Sequence, residues 1–347
     1  MQTKQHNFLI GTYTENQSKG IYRATFDSSN GKIQNLSLIT EIESPSFLSL
    51  DNNQNLLAVS ETENGQIIHF QVQKNSNNHN IILNKKFTVP TQGSCPCYVS
   101  ILNLSDSDKE LAMVSNYMTG NNIIVNLQDQ SNQQILQHTQ TQKSFHPRQE
   151  NAHAHCIQQI ENTDIVLSCD LGCDQIYQYR VKQDDKQILE LESKIECPKQ
   201  SGPRHLNYDP ENKLLYVVGE LNSTVIIFKF EENKRIFTLK NQYSTLTNEQ
   251  RQQYDQNLPS HILRQGADTI SVFQINPQDY SLKMIQNERY GGIFPRHFEF
   301  SPCGNYILIA NQQGNNINVI KLTEGKFENI NTNVEIQNPA FILFEKI

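Results

Sequence analysis

The chain repeats itself, and the repeat constrains the fold more than any other feature. Five stretches follow one grammar: residues 46–72, 97–127, 153–181, 204–230 and 296–322. Each opens with a short alternating strand and turns on Asp, Asn, Pro or Gly. A strongly apolar strand follows, such as LLYVV at 214–218 or YILIA at 306–310. A small polar tip comes next (Ser60-Glu61, Asn116-Tyr117, Asp170-Leu171, Glu220-Leu221, Asn311-Gln312), and a third alternating strand closes the unit. Period and residue type are those of β-strands. No segment of comparable strength has helical period. Antiparallel sheets of three or four strands recurring about every 50 residues are propeller blades. Two further units are partial. Residues 260–275 hold the end of one. The other is split, with a first strand at 339–344 and its next two at 8–13 and 20–26. Pairing the two ends of the chain in one blade closes a ring of seven and removes exposed sheet edges.

A length of 347 residues exceeds what one ordinary core holds, but a repeat fold grows by adding units. No Pro/Gly/Ser-rich linker or charge run divides the chain, so residues 1–347 read as one propeller domain. A formal net charge of -7 and a pI near 5.8 argue against binding a nucleic-acid backbone, which needs a basic face. The opening MQTKQHNFLIGTYT lacks the apolar run of a signal peptide, and no stretch approaches the ~20 apolar residues of a membrane span. The expectation is a cytoplasmic protein bound neither to membrane nor to nucleic acid. A closed propeller needs no partner to bury its edges, so a monomer suffices. The cysteines are seven and irregularly spaced. Neither close pair, Cys95/Cys97 or Cys169/Cys173, has the second pair a zinc site needs. Reduced structural thiols are expected. The Asn and Gln scattered through loops and strand edges read as a bias of composition.

The blades lack the Trp-Asp of WD repeats (the chain has no Trp) and the Gly-Gly of kelch repeats. In a propeller the first strands line the central channel. Their starts read Pro45-Ser46-Phe47, Pro96-Cys97-Tyr98, His153-Ala154-His155, Pro203-Arg204-His205, Pro259-Ser260-His261, Pro295-Arg296-His297 and Pro339-Ala340-Phe341. Charge where other copies carry Ser, Cys or Ala is not needed by the blade. Two Arg in one channel repel unless an acid or a bound anion pairs them; Glu220, Asp170 or a ligand could do so. For His205, His261 and His297, which recur in otherwise different blades, a structural role at the turn is the favoured reading. His153 and His155 follow the polar segment His146-Pro-Arg-Gln-Glu150, a long loop that could serve as a lid.

These residues also carry a family pattern. GTYT at 11–14 with SKGIY at 18–22, Asn116-Tyr117 with Gly120, Arg148-Gln-Glu150 before His153-Ala-His155, and DLG at 170–172 with Asp174 recur in order. GPRH at 202–205, GELNSTV at 219–225, and PRHF at 295–298 with ANQ at 310–312 complete the series. In this the chain resembles the lactonase family of seven-bladed propellers, which includes a bacterial type of 6-phosphogluconolactonase and the fungal carboxymuconate cyclases. The resemblance covers nearly the whole chain. It implies a channel-mouth site of one His, two Arg and a Glu: His153 or His155, Arg204, Glu220 and Arg296. Arg148, Gln149, His205 and His297 are added as substrate contacts. The implied substrate is a small anionic sugar lactone, with the 6-phosphogluconolactone of the pentose phosphate pathway as the family's best-known case. Hydrolysis needs a base for water, a group that stabilises the oxyanion, and a proton for the ring oxygen. His153, His155 or Glu220 could be the base, one Arg could hold the oxyanion, and the other, with Arg148, the anionic substituent. No nucleophilic Ser or Cys context stands out. No metal or other cofactor is called for by this set, and no acidic cluster suggests calcium.

One unit departs from the pattern. Ser260-His-Ile262 runs almost at once into Leu263-Arg-Gln-Gly266, and His261 stands about 36 residues before His297 where about 50 is the repeat. About ten residues, most of one strand, are missing from this blade at ~3.3 Å per residue. Residues 245–258 could rearrange to fill the place, the blade could be reduced, or a mis-assigned intron could have shortened the sequence; the last is the favoured reading. Two rivals to the hydrolase stand beside it: a cycloisomerase of a carboxylated muconate using the same residues, and a non-catalytic propeller that binds a metabolite or a protein.

Overall fold

The computed structural model describes residues 4–74, 81–104, 108–141, 146–182, 187–257 and 268–345. Seven antiparallel sheets follow one another as blades of a propeller. Blade 1 holds Leu48–Leu50, Leu56–Ser60, Gln66–Lys74 and Ile81–Pro90. Blade 2 holds Pro96–Leu102, Leu111–Asn116, Asn121–Asn126 and Asn132–Gln137. Blade 3 holds Ala154–Gln159, Ile165–Asp170, Gln175–Val181 and Leu189–Glu196, and blade 4 holds Pro203–Asp209, Leu214–Gly219, Thr224–Glu231 and Ile236–Ser244. Blade 6 holds Pro295–Phe300, Tyr306–Asn311, Asn316–Thr323 and Lys326–Glu335.

Blade 7 joins the two ends of the chain. Its inner strand, Pro339–Phe344, pairs with Gln5–Thr12, placing Phe8 opposite Phe344 and Ile10 opposite Ile342. Gly20–Asp27 and Lys32–Glu41 complete it. The cohesion of the ring therefore rests partly on residues more than 300 positions apart.

There is no common core. Apolar side chains form separate clusters, each pressed between adjacent sheets. Phe8, Phe26, Leu308 and Val319 pack between blades 6 and 7. Leu9, Leu48 and Phe70 pack between blades 7 and 1, and Val59, Val99 and Val114 between blades 1 and 2. Similar clusters join blade 2 to 3 and blade 3 to 4. The second strands of blades 1, 2, 3 and 6 are buried at every residue. They are covered on both faces, which is why they read as unbroken apolar runs.

Blade 5 is the exception. Among the described residues it has two strands, Ile270–Ile275 and Leu282–Glu288. The first-strand residues read from the sequence, including Ser260, His261 and Ile262, lie outside the described residues. Residues 245–257 do not supply a strand; they contain a helix, Asn248–Asn257. Its start is a capping box. Gln250 N donates to Thr247 Oγ1 at 3.2 Å, and Thr247 N donates to Gln250 Oε1 at 2.9 Å. This satisfies two backbone donors that a helix end would otherwise leave open. Apolar side chains on the flanking blades pay for the reduction: Val218, Phe298 and Phe300 are 46%, 52% and 45% exposed.

A repeated device shapes the channel mouth. In blades 2, 3, 4, 6 and 7 the inner strand slips register at its start, a bulge between Pro96 and Tyr98, Ala154 and Cys156, Pro203 and Leu206, or Pro295 and His297, and opposite Gly11/Thr12 in blade 7. Bulges re-aim side chains. The residue before the proline is left-handed in five blades: Ser44, Cys95, Gly202, Phe294 and Asn338 have φ of 42°, 55°, 57°, 61° and 47°. Only Gly202 takes this conformation without steric cost. In return each carbonyl accepts the amide of its tip residue: Glu61, Tyr117, Glu220, Gln312 and Tyr13, at 2.9–3.0 Å. Blade 3 has no proline here, and Leu171 N donates instead to His153 O at 2.9 Å.

Closure by long-range pairing makes a stability prediction. Ile342→Ala, at a fully buried site of the closing strand, should cost about 2–5 kcal/mol. Leu239→Ala, on the outermost strand of blade 4 and 53% exposed, should stay within about 0.5 kcal/mol. Urea unfolding of the two variants checks this; equal effects would mean that the terminal strand contributes little to the ring.

Candidate active site

The register corrects the sequence alignment of blade 3. Ala154, not His153, pairs with the last residue of the second strand, as Pro96, Pro203 and Pro295 do in their blades. The next residues form one layer: Ser46, Cys97, His155, Arg204, Arg296 and Ala340. His155 therefore occupies the arginine position, and His153 corresponds to Gly202 and Cys95.

The layer after it is a floor of rings. Phe47 packs on Tyr98 at 4.3 Å and on Phe341 at 4.2 Å, and Phe341 packs on His297 at 3.9 Å. Blade 3 supplies the small Cys156 here, and Tyr98 stands 5.6 Å from His205. Burial, then the neighbouring guanidiniums, push His205 well below the ordinary imidazole range and His297 to about 3. His297 Nδ1 accepts from Ile342 N at 3.3 Å. Both imidazoles are neutral parts of the floor. Both also line the cavity described below, beside Arg204 and Arg296.

Above the floor stand the charged groups. Glu220, at the tip of blade 4, lies between two guanidiniums. Its Oε1 accepts from Arg148 Nη1 at 2.6 Å, and its Oε2 accepts from Arg204 Nη1. Tyr117, the tip of blade 2, accepts from Arg148 Nε at 3.2 Å and Nη2 at 3.0 Å. Burial alone would raise the Glu220 carboxyl, but Arg204 and Arg148 hold it well below the usual carboxylate range. Across the mouth, Arg296 donates to Tyr13 Oη and lies 3.7 Å from Glu61 Oε2. Tyr13 Oη donates to that same Glu61 oxygen at 2.7 Å.

The sequence comparison of first strands missed Glu61, Tyr13 and Tyr117. Aligning the tips would have found them, because all three occupy the position of Glu220. Asp170, offered as a partner for the channel arginines, is not one. Its Oδ1 accepts from His153 N and Cys173 N, both at 2.9 Å, and its Oδ2 lies 2.8 Å from His138 Nδ1, all within the protein.

His155 Nδ1 lies 3.8 Å from Cys97 Sγ. Burial, Arg204 and His205 hold its imidazole well below 6.5, hence neutral. His153 stacks on Tyr117 at 4.4 Å, and its Nδ1 lies 2.9 Å from Tyr117 O. A carbonyl only accepts, so Nδ1 carries the proton. Gln149 is turned away from the mouth. It is 1% exposed, and its amide donates to Leu171 O at 2.9 Å and Asp174 Oδ1 at 2.8 Å. These bonds pin the loop that presents Arg148. A cavity of about 440 Å³ opens between blades 4 and 6, with Arg204, Glu220 and Arg296 among polar walls and Phe273, Phe294 and Phe298 among apolar ones. Among the described residues no group of three or more His, Cys, Asp or Glu is placed to hold a metal, and all seven cysteines are free thiols.

The Glu220 cluster has an acid-dependent stability. A carboxylate with a lowered folded-state pKa stabilises fully above its unfolded value, and that contribution fades as pH falls through the folded value. Glu220→Gln should cost about 3–5 kcal/mol near neutrality, because two guanidiniums lose their shared partner. The deficit should shrink from about pH 5 toward about pH 3. Melting curves of both chains across that range test this; a constant deficit would show that the ionised pair contributes nothing.

Comparisons with known proteins agree with this architecture. The chain is 26% identical to the 6-phosphogluconolactonase of Bacillus subtilis, over 96% of this chain and 97% of that one. It superimposes on the periplasmic gluconolactonase of Pseudomonas aeruginosa with a TM-score of 0.83 at 23% identity, covering 99% of each chain. A protein from Lactobacillus plantarum superimposes equally well, with a TM-score of 0.83 at 24% identity over 99% of this chain and 100% of that one. Residues 7–344 match the family described as "Lactonase, 7-bladed beta-propeller", and the chain belongs to that family.

Proposed function

We propose that this chain hydrolyses an anionic sugar lactone to the open acid, and that 6-phospho-D-glucono-1,5-lactone is its substrate. One observation carries the reading. Arg148 and Arg204 share one carboxylate, Glu220, and Arg204 and Arg296 line a cavity of about 440 Å³ together with Glu220 and Asp268. That volume suits a sugar-sized ligand. A guanidinium pair sharing one carboxylate in a largely buried setting favours a phosphate or carboxylate, bound with bidentate geometry. The relative in Bacillus subtilis carries the name of the same reaction.

The opposite side of the mouth suits the lactone carbonyl. Arg296 is 16% exposed and approaches from blade 6, where a guanidinium can stabilise the oxyanion that forms when water adds to the carbonyl carbon. Glu220 is poorly suited to activating that water, since both its oxygens already accept from guanidiniums. Its part is to orient Arg148 and Arg204. The reaction belongs to the pentose phosphate pathway, and we place the protein in the cytoplasm, acting on a small metabolite without a cofactor.

The test is the opening rate of freshly made 6-phosphoglucono-1,5-lactone, corrected for spontaneous hydrolysis. The wild-type chain should accelerate it. Arg204→Ala should lower kcat/KM by about 100-fold or more. Arg148→Ala, on the more exposed partner, should act mainly by raising KM about ten-fold. No acceleration by a well-folded sample would remove this substrate and leave a muconate-type lactone or a binding role.

A further inference from the structure

Among the described residues two blades present a carboxylate at the tip position, and the structure treats them differently. In blade 4, Glu220 meets Arg204 from the same blade and Arg148 from the loop, so both oxygens are engaged. In blade 1, Glu61 meets both of its partners among the described residues, Tyr13 Oη and Arg296 Nη2, through Oε2. Its Oε1 has no hydrogen-bond or ion-pair partner among the described residues. The side chain remains 16% exposed, against 6% for Glu220.

The repeat explains the difference. Blade 4 carries Arg204 in the layer below its tip; blade 1 carries Ser46 there. The volume that the Arg204 side chain takes beside Glu220 is not filled by blade 1's own side chain beside Glu61. Ser46 Oγ is itself buried and without a partner among the described residues. The blade 1 side of the mouth therefore offers an open carboxylate oxygen and an unpaired hydroxyl in one unit, next to Arg296.

We propose that Glu61, held by Tyr13 against Arg296, is the general base that activates the hydrolytic water. This rests on the lactonase reading above. Oε1 takes a proton as the water oxygen bonds to the lactone carbonyl carbon, and the carbonyl electrons move onto oxygen beside Arg296. The tetrahedral intermediate then reforms its C=O and breaks the bond to the ring oxygen. The proton held by Glu61 passes to that oxygen, and the new carboxylic acid ionises to solvent. Tyr13 keeps its proton throughout, since burial raises the phenol well above its ordinary value, and it fixes the orientation of Oε2. His155 is a weaker candidate for the base. It is buried, and Arg204 and His205 disfavour its protonation.

The experiment compares Glu61→Gln, Glu61→Ala and the wild type on 6-phosphoglucono-1,5-lactone, with melting temperature measured for each. Glu61→Gln should lower kcat by about 100-fold or more with KM within about three-fold, the range of a lost general base. Formate added to Glu61→Ala should restore part of kcat, because a small carboxylate can enter the vacated space; a merely structural role would not respond. A kcat within about three-fold of wild type in Glu61→Gln overturns the assignment. So does a kcat loss that formate does not relieve in a folded Glu61→Ala, which would make Glu61 a charge-balancing partner of Arg296. A wild-type chain that fails to open the lactone overturns the lactonase reading and this one together, whereas an active wild type with an active Glu61→Gln overturns this one alone.

Discussion

The tip residues at the mouth of this propeller are placed by one backbone hydrogen bond, repeated in six blades. The amide of each tip residue donates to the carbonyl at the start of an inner strand, in blades 1, 2, 3, 4, 6 and 7. In five of these the carbonyl belongs to a left-handed residue before proline, and four of the five are not glycine. Such residues cost of order 1 kcal/mol or more each. The bond, the fixed proline φ and the bulge that follows together set where the next two side chains go. The strain is therefore tied to function. It holds Glu61, Tyr117, Glu220 and Tyr13 at equivalent heights, so that chemistry can differ between blades while geometry does not.

Electrostatics then selects what such a mouth can bind. Three guanidiniums and two carboxylates converge in a site of low exposure, where charges interact far more strongly than in water. Left unpaired, Arg204 would carry a desolvation penalty that its neighbours could not offset. Glu220 relieves Arg204 and Arg148, and Glu61 with Tyr13 relieves Arg296. On one side two guanidiniums share one carboxylate, and on the other one guanidinium meets one. An acidic protein overall, of net charge -7, can thus attract a small anion at one point without a basic surface. The same asymmetry separates the two carboxylates: Glu220 has both oxygens engaged by guanidiniums, and Glu61 meets its partners among the described residues through one oxygen.

Much of this was legible in the residues. The apolar second strands, the polar tips and the split terminal blade were read from period and composition, because each strand's burial is imposed by the two sheets that cover it. Arg204 and Arg296 stood out because most other copies of their position are small. Three features were not legible. His153 and His155 could not be told apart, since blade 3 lacks the proline that marks register elsewhere and its bulge shifts the match by one. The pairing of Arg296 with Tyr13 and Glu61 spans blades 6, 7 and 1, and no local spacing encodes it. The helix at 248–257 has no apolar period, being almost wholly polar; only Thr247 and Gln250, three apart, signal it through the capping box.

The reduced blade bears on stability and on the wall of the cavity. None of Arg148, Arg204, Glu220, Arg296, Glu61 and Tyr13 comes from blade 5, but Asp268, Ile270, Ser271 and Phe273 of that segment help to line the cavity. What the reduction changes is the wall. Phe298 and Phe300 of blade 6 and Val218 of blade 4 are left half-exposed, and among the described residues no apolar cluster joins blade 4 to blade 5. Polar bonds take over part of the connection: Asn287 donates to Thr245 O at 2.8 Å, and Ser271 Oγ donates to the same carbonyl at 2.6 Å. Hydrogen bonds of this kind contribute about 1 kcal/mol each, less than a buried aromatic interface supplies. Arg204 and Arg296 sit on the two blades flanking this weakest joint. A small change in the spacing of blades 4 and 6 would alter the distance between these two guanidiniums. The ring's tolerance of a short blade therefore depends on how firmly blades 1, 2, 3 and 7 hold the other side of the circle, and the long-range pairing of Pro339–Phe344 with Gln5–Thr12 supplies that hold.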